Sequence, residues 1–387
     1  MQRRDFLRCA AIAATAALFA PRVVFATAAT ERRFVFIIQR GAADGLDTII
    51  PYGDPDYARL RGAAAVEPGV RLDGTFALHP SLVETAKLYG SKQALFMHAV
   101  ASPYRDRSHF DGQNILETGG TLPYQLKTGW LNRLLSLLPQ QDRDAIALSP
   151  TVPLALRGPV DVISYAPSSL PTPSDDLLLR VAQLYQHDSQ LHGLWSEALN
   201  ARSIADGTDA RNGGSRQRPE DIGLMAAHFL SRQDGPRIAM IETGGWDTHT
   251  AQAGRLGGQL KLLDTLVASL RTGLGDAWNQ TTVMVATEFG RTAAPNGTGG
   301  TDHGTGSVAM LFGGAVKGGR VLADWPGLSA GTLYQGRDLK PTLELDALVT
   351  AVVSECFGLD PKQAGRVLFP AMQGNNRVMT PLLNTGI

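Results

Sequence analysis

The sequence predicts an α/β fold, a mainly parallel sheet with helices on both faces and a helical insertion. Three observations carry that expectation. Short apolar runs such as Arg33 to Gln39 (RFVFIIQ) and Thr281 to Thr287 alternate with stretches of helical length and period. Length is the second: 387 residues without an internal repeat or a long low-complexity tract suffice for one large α/β domain or two moderate ones. Third, carboxylates and imidazoles cluster in loops just after apolar runs, which is where open α/β sheets carry their chemistry.

Taken in order, Arg33 to Gln39 reads as a buried strand, Pro80 to Tyr89 as a helix and Ala94 to Val100 as a second strand. Arg105 to Glu117 reads as a helix, and Ile146 to Arg157 as an extended segment broken by prolines. A helical block follows from Asp175 to about Ile204, then a polar Gly/Arg stretch from Asp206 to Arg218 that reads as an exposed loop. Pro219 suits the first turn of a helix reaching Arg232. Arg237 to Glu242, Thr281 to Thr287 and Ser307 to Phe312 read as strands, and Leu256 to Leu274 as an amphipathic helix. Leu345 to Phe357 is helix-like. The helices between about 165 and 232 are the natural cap or insertion within a single domain at 29–387.

The N-terminus predicts an address. Arg3-Arg4-Asp5-Phe6-Leu7 reads as a twin-arginine signal, followed by an apolar stretch from Ala10 to Ala20 and a small-residue end at Ala26-Thr27-Ala28. That stretch is too short to span a bilayer, so residues 1–28 are expected to be cleaved and the chain to be periplasmic or secreted, exported folded. Cleavage removes four arginines and one aspartate from 36 basic and 36 acidic groups, leaving 32 and 35 and a net charge of −3 with His neutral. Such a balance argues against nucleic acid or an anionic membrane as partner. Cys9 leaves with the signal and Cys356 remains alone, so any metal must be held by Asp, Glu and His.

Three segments carry those groups: Gly245-Trp246-Asp247-Thr248-His249, Thr287-Glu288-Phe289-Gly290-Arg291-Thr292 and Thr301-Asp302-His303-Gly304-Thr305-Gly306. Convergence of two or three such loops would supply enough ligands for Zn, Mn, Ca or Mg. Plainer readings stand beside this one. Asp247 also suits a helix N-cap, Glu288 and Arg291 a structural ion pair, and Ser108 an ordinary N-cap. Asp44 and Asp47 suit a Gly-rich turn. His79, His98, His187, His192 and His228 read as structural or surface residues.

The order of a strand, an Asp/His loop, a long helix, the Thr281 strand ending at an acidic residue, and His303-Gly304-Thr305-Gly306 before a further strand resembles the alkaline-phosphatase, phosphoglycerate-mutase and sulfatase superfamily. Over nearly its whole length the chain looks more closely like a family of exported bacterial twin-arginine proteins described mainly as a domain of unknown function. Its marks here include Arg40-Gly41-Ala42-Ala43-Asp44-Gly45-Leu46-Asp47, Ser102 to Gly112 (SPYRDRSHFDG) and Gly336-Arg337-Asp338-Leu339-Lys340-Pro341. What the superfamily resemblance implies is a metal ligand at Asp44, with Asp47 as second choice, a nucleophile at Ser108, and metal ligands at Asp247, His249 and His303. Two departures matter. Asp247 and His249 are two residues apart where four is usual, and Glu288-Phe289 stands where an Asp-His pair is expected.

The implied enzyme is a metal-dependent hydrolase of phosphate or sulfate esters. Asp44, Asp47, Asp247, His249, Glu288, Asp302 and His303 are its candidate ligands for one or two divalent ions. Ser108 attacks, or His109 or Asp111 activates a water, and Arg107 or Arg291 offsets developing charge. Arg40 and Arg105 crowd the same loops, and a guanidinium fork matches phosphate or sulfate. Expected partners are the export machinery and a small anionic or polymer-borne ester. The alternative is a non-catalytic exported binding or assembly protein that keeps the fold and an anion pocket.

Overall fold

All seven residues of β1 (Arg33–Gln39) are buried, and the two-residue period of a strand sends Phe34, Phe36 and Ile38 to one face and Val35 and Ile37 to the other. A strand apolar on both faces belongs in the middle of a covered sheet, and β1 lies there. The computed structural model describes residues 30–166, 175–186, 188, 191–196, 198–199, 218–371 and 381–384. The export segment at 1–28, the polar stretch up to residue 217 and much of the helical block beyond Tyr185 lie outside those residues.

The other strands are β2 (Ile49–Ile50), β3 (Ala77–Leu78), β4 (Ala94–Ala101), β5 (Ala145–Leu148), β6 (Ile163–Ser164), β7 (Ile238–Thr243), β8 (Thr281–Thr287), β9 (Ser307–Phe312), β10 (Arg320–Leu322) and β11 (Leu343–Glu344). The main sheet runs β10-β4-β9-β8-β1-β7-β5-β6, with β11 added to β4, while β2 and β3 pair separately. β1 is parallel to both β7 and β8, whereas β9 runs antiparallel to β4 and β8.

Helices α1 (Gly45–Thr48), α2 (Pro55–Arg61), α3 (Val83–Gly90), α4 (His109–Thr118), α5 (Trp130–Leu137), α6 (Asp175–Tyr185), α7 (Pro219–Ser231), α8 (Gln252–Leu274), α9 (Leu345–Phe357) and α10 (Pro361–Leu368) complete the layers. On the Phe34 face α5, α9 and α10 contribute Leu131, Leu134, Leu348, Val352 and Leu368. Trp130 packs edge-on to Phe36 at 5.2 Å and donates its indole N–H to the Leu116 carbonyl at 3.1 Å. Truncating such a residue to Ala costs about 3–5 kcal/mol. The Val35 face is covered by α3, α7 and α8 through Leu88, Met225, Phe229, Leu260, Leu263 and Val267. The later part of the 165–232 stretch, α7, is thus a core layer helix. Among the described residues no helix is long and apolar enough to cross a membrane.

Elements β1, β8, β9 and α9 coincide with the expected segments. Others begin elsewhere for local reasons. A left-handed Arg107 at φ 62° bars a helix from Arg105, so α4 starts at His109. α8 starts four residues before Leu256, with Gln252 buried at its first position. The Ile146 to Arg157 stretch holds only β5 and a single 3-10 turn at Leu154–Leu156.

A candidate metal centre at the sheet edge

The chemistry-bearing loops meet at one edge. His109 opens α4 after β4, Asp247 and His249 follow β7, Glu288 follows β8, and His303 precedes β9. Because β9 is antiparallel, its first residue Ser307 pairs with Val100 near the end of β4, which brings the His303 loop to the edge where the parallel strands end. The loop after β1 fits between them through Gly41 at φ 121°, where a Cβ would lie 2.6 Å from the Asp247 nitrogen. The Gly41 N–H donates to Glu288 Oε1 at 2.8 Å.

Three imidazoles converge on one carboxylate. His109 donates from Nδ1 to Glu288 Oε1 at 2.9 Å, His249 to Asp302 Oδ1 at 3.1 Å, and His303 to the Arg107 carbonyl at 3.0 Å. A carbonyl or carboxylate oxygen only accepts, so this network assigns the proton of each neutral ring to Nδ1 and the lone pair to Nε2. The Nε2 atoms then share one space. His249 Nε2 and His303 Nε2 stand 2.9 Å apart, and Asp247 Oδ1 lies 3.0 Å from the first and 3.3 Å from the second. Asp247 Oδ2 is 3.4 Å from His109 Nε2, a buried atom without a hydrogen-bond partner.

Two imidazole lone pairs at 2.9 Å repel unless a cation lies between them. A proton relieves one such pair; a metal ion accepts all the donors at once. The ligand atoms of His109, Asp247 and His303 lie within 4.8 Å of one another and form a group able to hold a metal ion. Imidazole nitrogens with a carboxylate fit zinc or manganese, and an oxygen behind each ring is what orients metal-ligating histidines.

Electrostatics favour ionised carboxylates and a neutral His303, and favour the proton on His109 that a metal ion would displace. Burial alone would raise the Glu288 carboxyl, but hydrogen bonds from His109, Gln113 and the Gly41 N–H hold it below its ordinary range. The same Glu288 bond raises His109. Burial also works against Asp247, yet Arg291, whose Nη1 reaches Oδ1 at 2.6 Å, brings it below the usual value. Burial, with His109 and Arg291 nearby, lowers His303.

Not every expected residue lies at the convergence. Asp44 caps α1 and pairs with Arg61 Nη2 at 2.7 Å, and Asp47 lies 3.3 Å from Arg61 Nε. Both are counter-ions of a buried guanidinium instead of ligands at the convergence. Burial pushes the Asp47 carboxyl up to about 6. Glu288 and Asp302 stand behind His109 and His249 and orient them, rather than joining the ligand atoms. His109, expected to activate a water, is at the centre itself. Ser108 is the N-cap of α4 without a side-chain capping bond, and Asp111 accepts from the Tyr104 hydroxyl at 3.4 Å.

The arginines expected to meet an anion are satisfied within the protein. Arg40 pairs with Glu117 at 2.9 Å and with Glu242, and Arg105 donates to the Ser102 and Tyr104 carbonyls. Arg107 turns its side chain to Asp338, bonding it at 2.7 and 2.9 Å, while its carbonyl serves His303. Buried Arg291 binds Thr301 as well as Asp247. His98 is buried against Phe76 and Trp325, and burial lowers its imidazole to about 4. His187 lies outside the described residues.

Sequence reasoning missed Gln252, Thr301 and Gln113. Thr301 Oγ1 donates to Gln252 Oε1 at 2.5 Å, and Gln252 Nε2 donates to Asp44 and Asp47, which joins the Arg61 ion cluster to the Arg291–Asp247 pair. No pattern in the sequence marks Gln252. Gln113, by contrast, lies one turn after His109 and bonds the same Glu288 oxygen at 3.2 Å, a spacing open to inspection.

Among solved structures the chain is similar at 12% identity to Ps i-CgsB in complex with k-i-k-neocarrahexaose, over 88% of this chain and 76% of that one, with a TM-score of 0.41. It is similar at 12% identity to the C-terminal periplasmic domain of EcEptC from Escherichia coli in complex with Zn, over 92% and 93%, with a TM-score of 0.40. A TAB5 alkaline phosphatase mutant with Mg bound is similar at 11% identity over 75% and 93%, with a TM-score of 0.36. Likeness of this degree says nothing of chemistry, which rests on the residues above. A search of curated protein sequences finds no significant match. Residues 31–368 match the family described as "Protein of unknown function (DUF1501)", and the chain therefore belongs to the DUF1501 family.

Proposed function

We propose that this chain is a metal-dependent hydrolase of phosphate or sulfate esters, exported folded by the twin-arginine machinery, with one zinc or manganese ion held by His109, Asp247, His249 and His303. The observation that carries the reading is the meeting of His109, His303 and the Asp247 carboxylate, with His249 Nε2 at 2.9 Å from His303 Nε2 and 3.0 Å from Asp247 Oδ1 and each Nδ1 already committed to an oxygen. A bound divalent ion supplies Lewis-acid polarisation of an ester oxygen and a more acidic water. The protein's part is orientation. Glu288, Asp302 and the Arg107 carbonyl aim the three rings, and Arg291 holds Asp247 ionised. Ser108, next to His109 in the chain, is the proposed nucleophile. The side chains of Asp247 and His249 are each 42% exposed, so a small or polymer-borne anionic ester can approach from solvent.

One observation favours the second reading, an exported binding or assembly protein. His249 lies close enough to His303 and Asp247 to make a fourth protein donor, and four protein donors would be the ligand number of structural rather than catalytic zinc. Elemental analysis of the folded protein, with a screen of phosphate and sulfate mono- and diesters, separates the two. One equivalent of metal and turnover that both disappear in His303→Ala support the hydrolase. One equivalent without turnover of any ester supports the binding protein. No bound metal after loading with zinc or manganese refutes the metal-dependent hydrolase and leaves the binding protein.

A further inference from the structure

The first turns of α4 place two exposed aromatic rings beside the metal centre. A helix rotates about 100° per residue. His109 faces Asp247, so Phe110 stands a step further round, and Asp111 and Asn114 lie beyond it. Asn114 Oδ1 accepts from the Tyr124 N–H at 2.7 Å. Phe110 therefore sits between the metal centre on one side and Tyr124 on the other.

Both rings present much of their surface to solvent. Phe110 is 82% exposed and Tyr124 is 52% exposed. Tyr124 is also held at φ 62°, a left-handed conformation that is costly for a bulky residue and persists where surroundings impose it. The Asn114 side chain holds its backbone N–H in that conformation. An exposed phenyl ring, a tyrosine in a left-handed conformation held through its backbone N–H and the candidate metal centre thus lie along the first turns of α4.

We propose that Phe110 and Tyr124 form a stacking platform for a ring in the organic part of the ester, while the anionic head of the same molecule reaches the His109, Asp247, His249 and His303 centre. The inference rests on the function proposed above and narrows its substrate class to esters bearing a ring with an apolar face, in preference to short alkyl esters. Aromatic rings suit this use because offset or edge-on stacking adds attraction beyond the area buried.

Calorimetric titration of the zinc-loaded full chain with phenylphosphonate and with methylphosphonate tests the platform without requiring turnover. The wild-type protein is expected to bind the phenyl compound about tenfold more tightly. In Phe110→Ala that ratio falls to about threefold, and in Phe110→Ala/Tyr124→Ala to about twofold or less. Phe110 is largely exposed, so its variant is readable even if the double variant fails to fold. A wild-type ratio near one, or a ratio that Phe110→Ala leaves unchanged, overturns the platform while methylphosphonate binding leaves the metal centre standing. Binding of neither compound removes the anion site and the platform together. A change of sedimentation coefficient in Phe110→Ala with an unchanged ratio makes this surface a contact between copies, and also overturns the proposal.

Discussion

Replacing Glu288 by Gln isolates the work of the charge behind His109. Glu288 Oε1 accepts from the Gly41 N–H at 2.8 Å, His109 Nδ1 at 2.9 Å and Gln113 Nε2 at 3.2 Å, and Oε2 accepts from Thr287 Oγ1 at 3.0 Å. A glutamine amide oxygen in the first position keeps three acceptances. Its Nε2 faces Thr287 Oγ1, which can accept while still donating to the Gln39 carbonyl. The fold should therefore lose only the difference between charge-assisted and neutral bonds, about 1 kcal/mol. Metal binding should lose more, because removing a carboxylate behind a ligating histidine weakens affinity about 10–100-fold, or about 1.4–2.8 kcal/mol. The assay is zinc titration of the apo-protein against a chelating indicator, with thermal melting beside it. Glu288→Ala is the contrast, since it strips several buried donors of their acceptor and should destabilise by several kcal/mol. The acid limb adds a check. A folded pKa below the ordinary value means that ionised Glu288 adds stability present above about pH 4.3 and lost as pH falls through the folded value. Glu288→Gln should lack that part of the acid dependence. Zinc affinity equal to wild type in a well-folded Glu288→Gln protein would refute the claim that Glu288 orients a ligand.

Gly41→Ala forces a Cβ to within 2.6 Å of the Asp247 nitrogen at φ 121°, so it should destabilise by about 2 kcal/mol or more and weaken zinc binding; urea denaturation and zinc titration measure both. Asp47, raised to about 6 by burial, binds its proton more readily folded than unfolded, so its contribution to stability grows as pH falls through 6 towards 4 and is lost as pH rises. Asp47→Asn should remove that slope from urea midpoints collected across this range. Buried Cys356, whose thiol burial pushes up to about 12, should stay unmodified by a thiol reagent at pH 8 and react once guanidinium unfolds the chain.

The parts of the fold legible in the sequence are those where local pattern and tertiary role agree. β1, β8 and β9 are apolar runs buried on both faces, and nothing in their surroundings competes with that pattern. Strands of two or three residues such as β2, β3 and β10 are defined by a partner distant in sequence, so no local period announces them. The same division holds at the site. Asp247, His249 and His303 were visible as residue types in loops after or before strands. The difference between ligating and orienting was not, because it depends on which atom faces which. Glu288 and Asp302 carry the right chemistry, yet their oxygens face Nδ1 atoms. Asp44 and Asp47 were misplaced because Arg61, 17 residues beyond Asp44, is buried against them.

Phe289 bears on how many ions the proposed centre would accommodate. It occupies the position where the superfamily resemblance leads one to expect a second-site histidine. Its ring is buried, stacks on His109 with centroids 5.2 Å apart at 25°, and lies 5.4 Å from His303. Room for it depends on Gly112, where a Cβ would come within 2.9 Å of the phenyl ring. An apolar wall therefore replaces a donor, and among the described residues His109, Asp247 and His303 form the group whose ligand atoms meet. That wall also limits rotation of the His109 ring, the same ring that Glu288 holds from behind. A histidine clamped by a carboxylate on one nitrogen and by a phenyl face along its plane keeps Nε2 on a fixed line. Such pre-set aim lets one ion be held by few ligands without reorganisation. A buried phenyl ring against both His109 and His303 thus fits a single-ion centre, because it leaves no donor on that side of the two imidazoles.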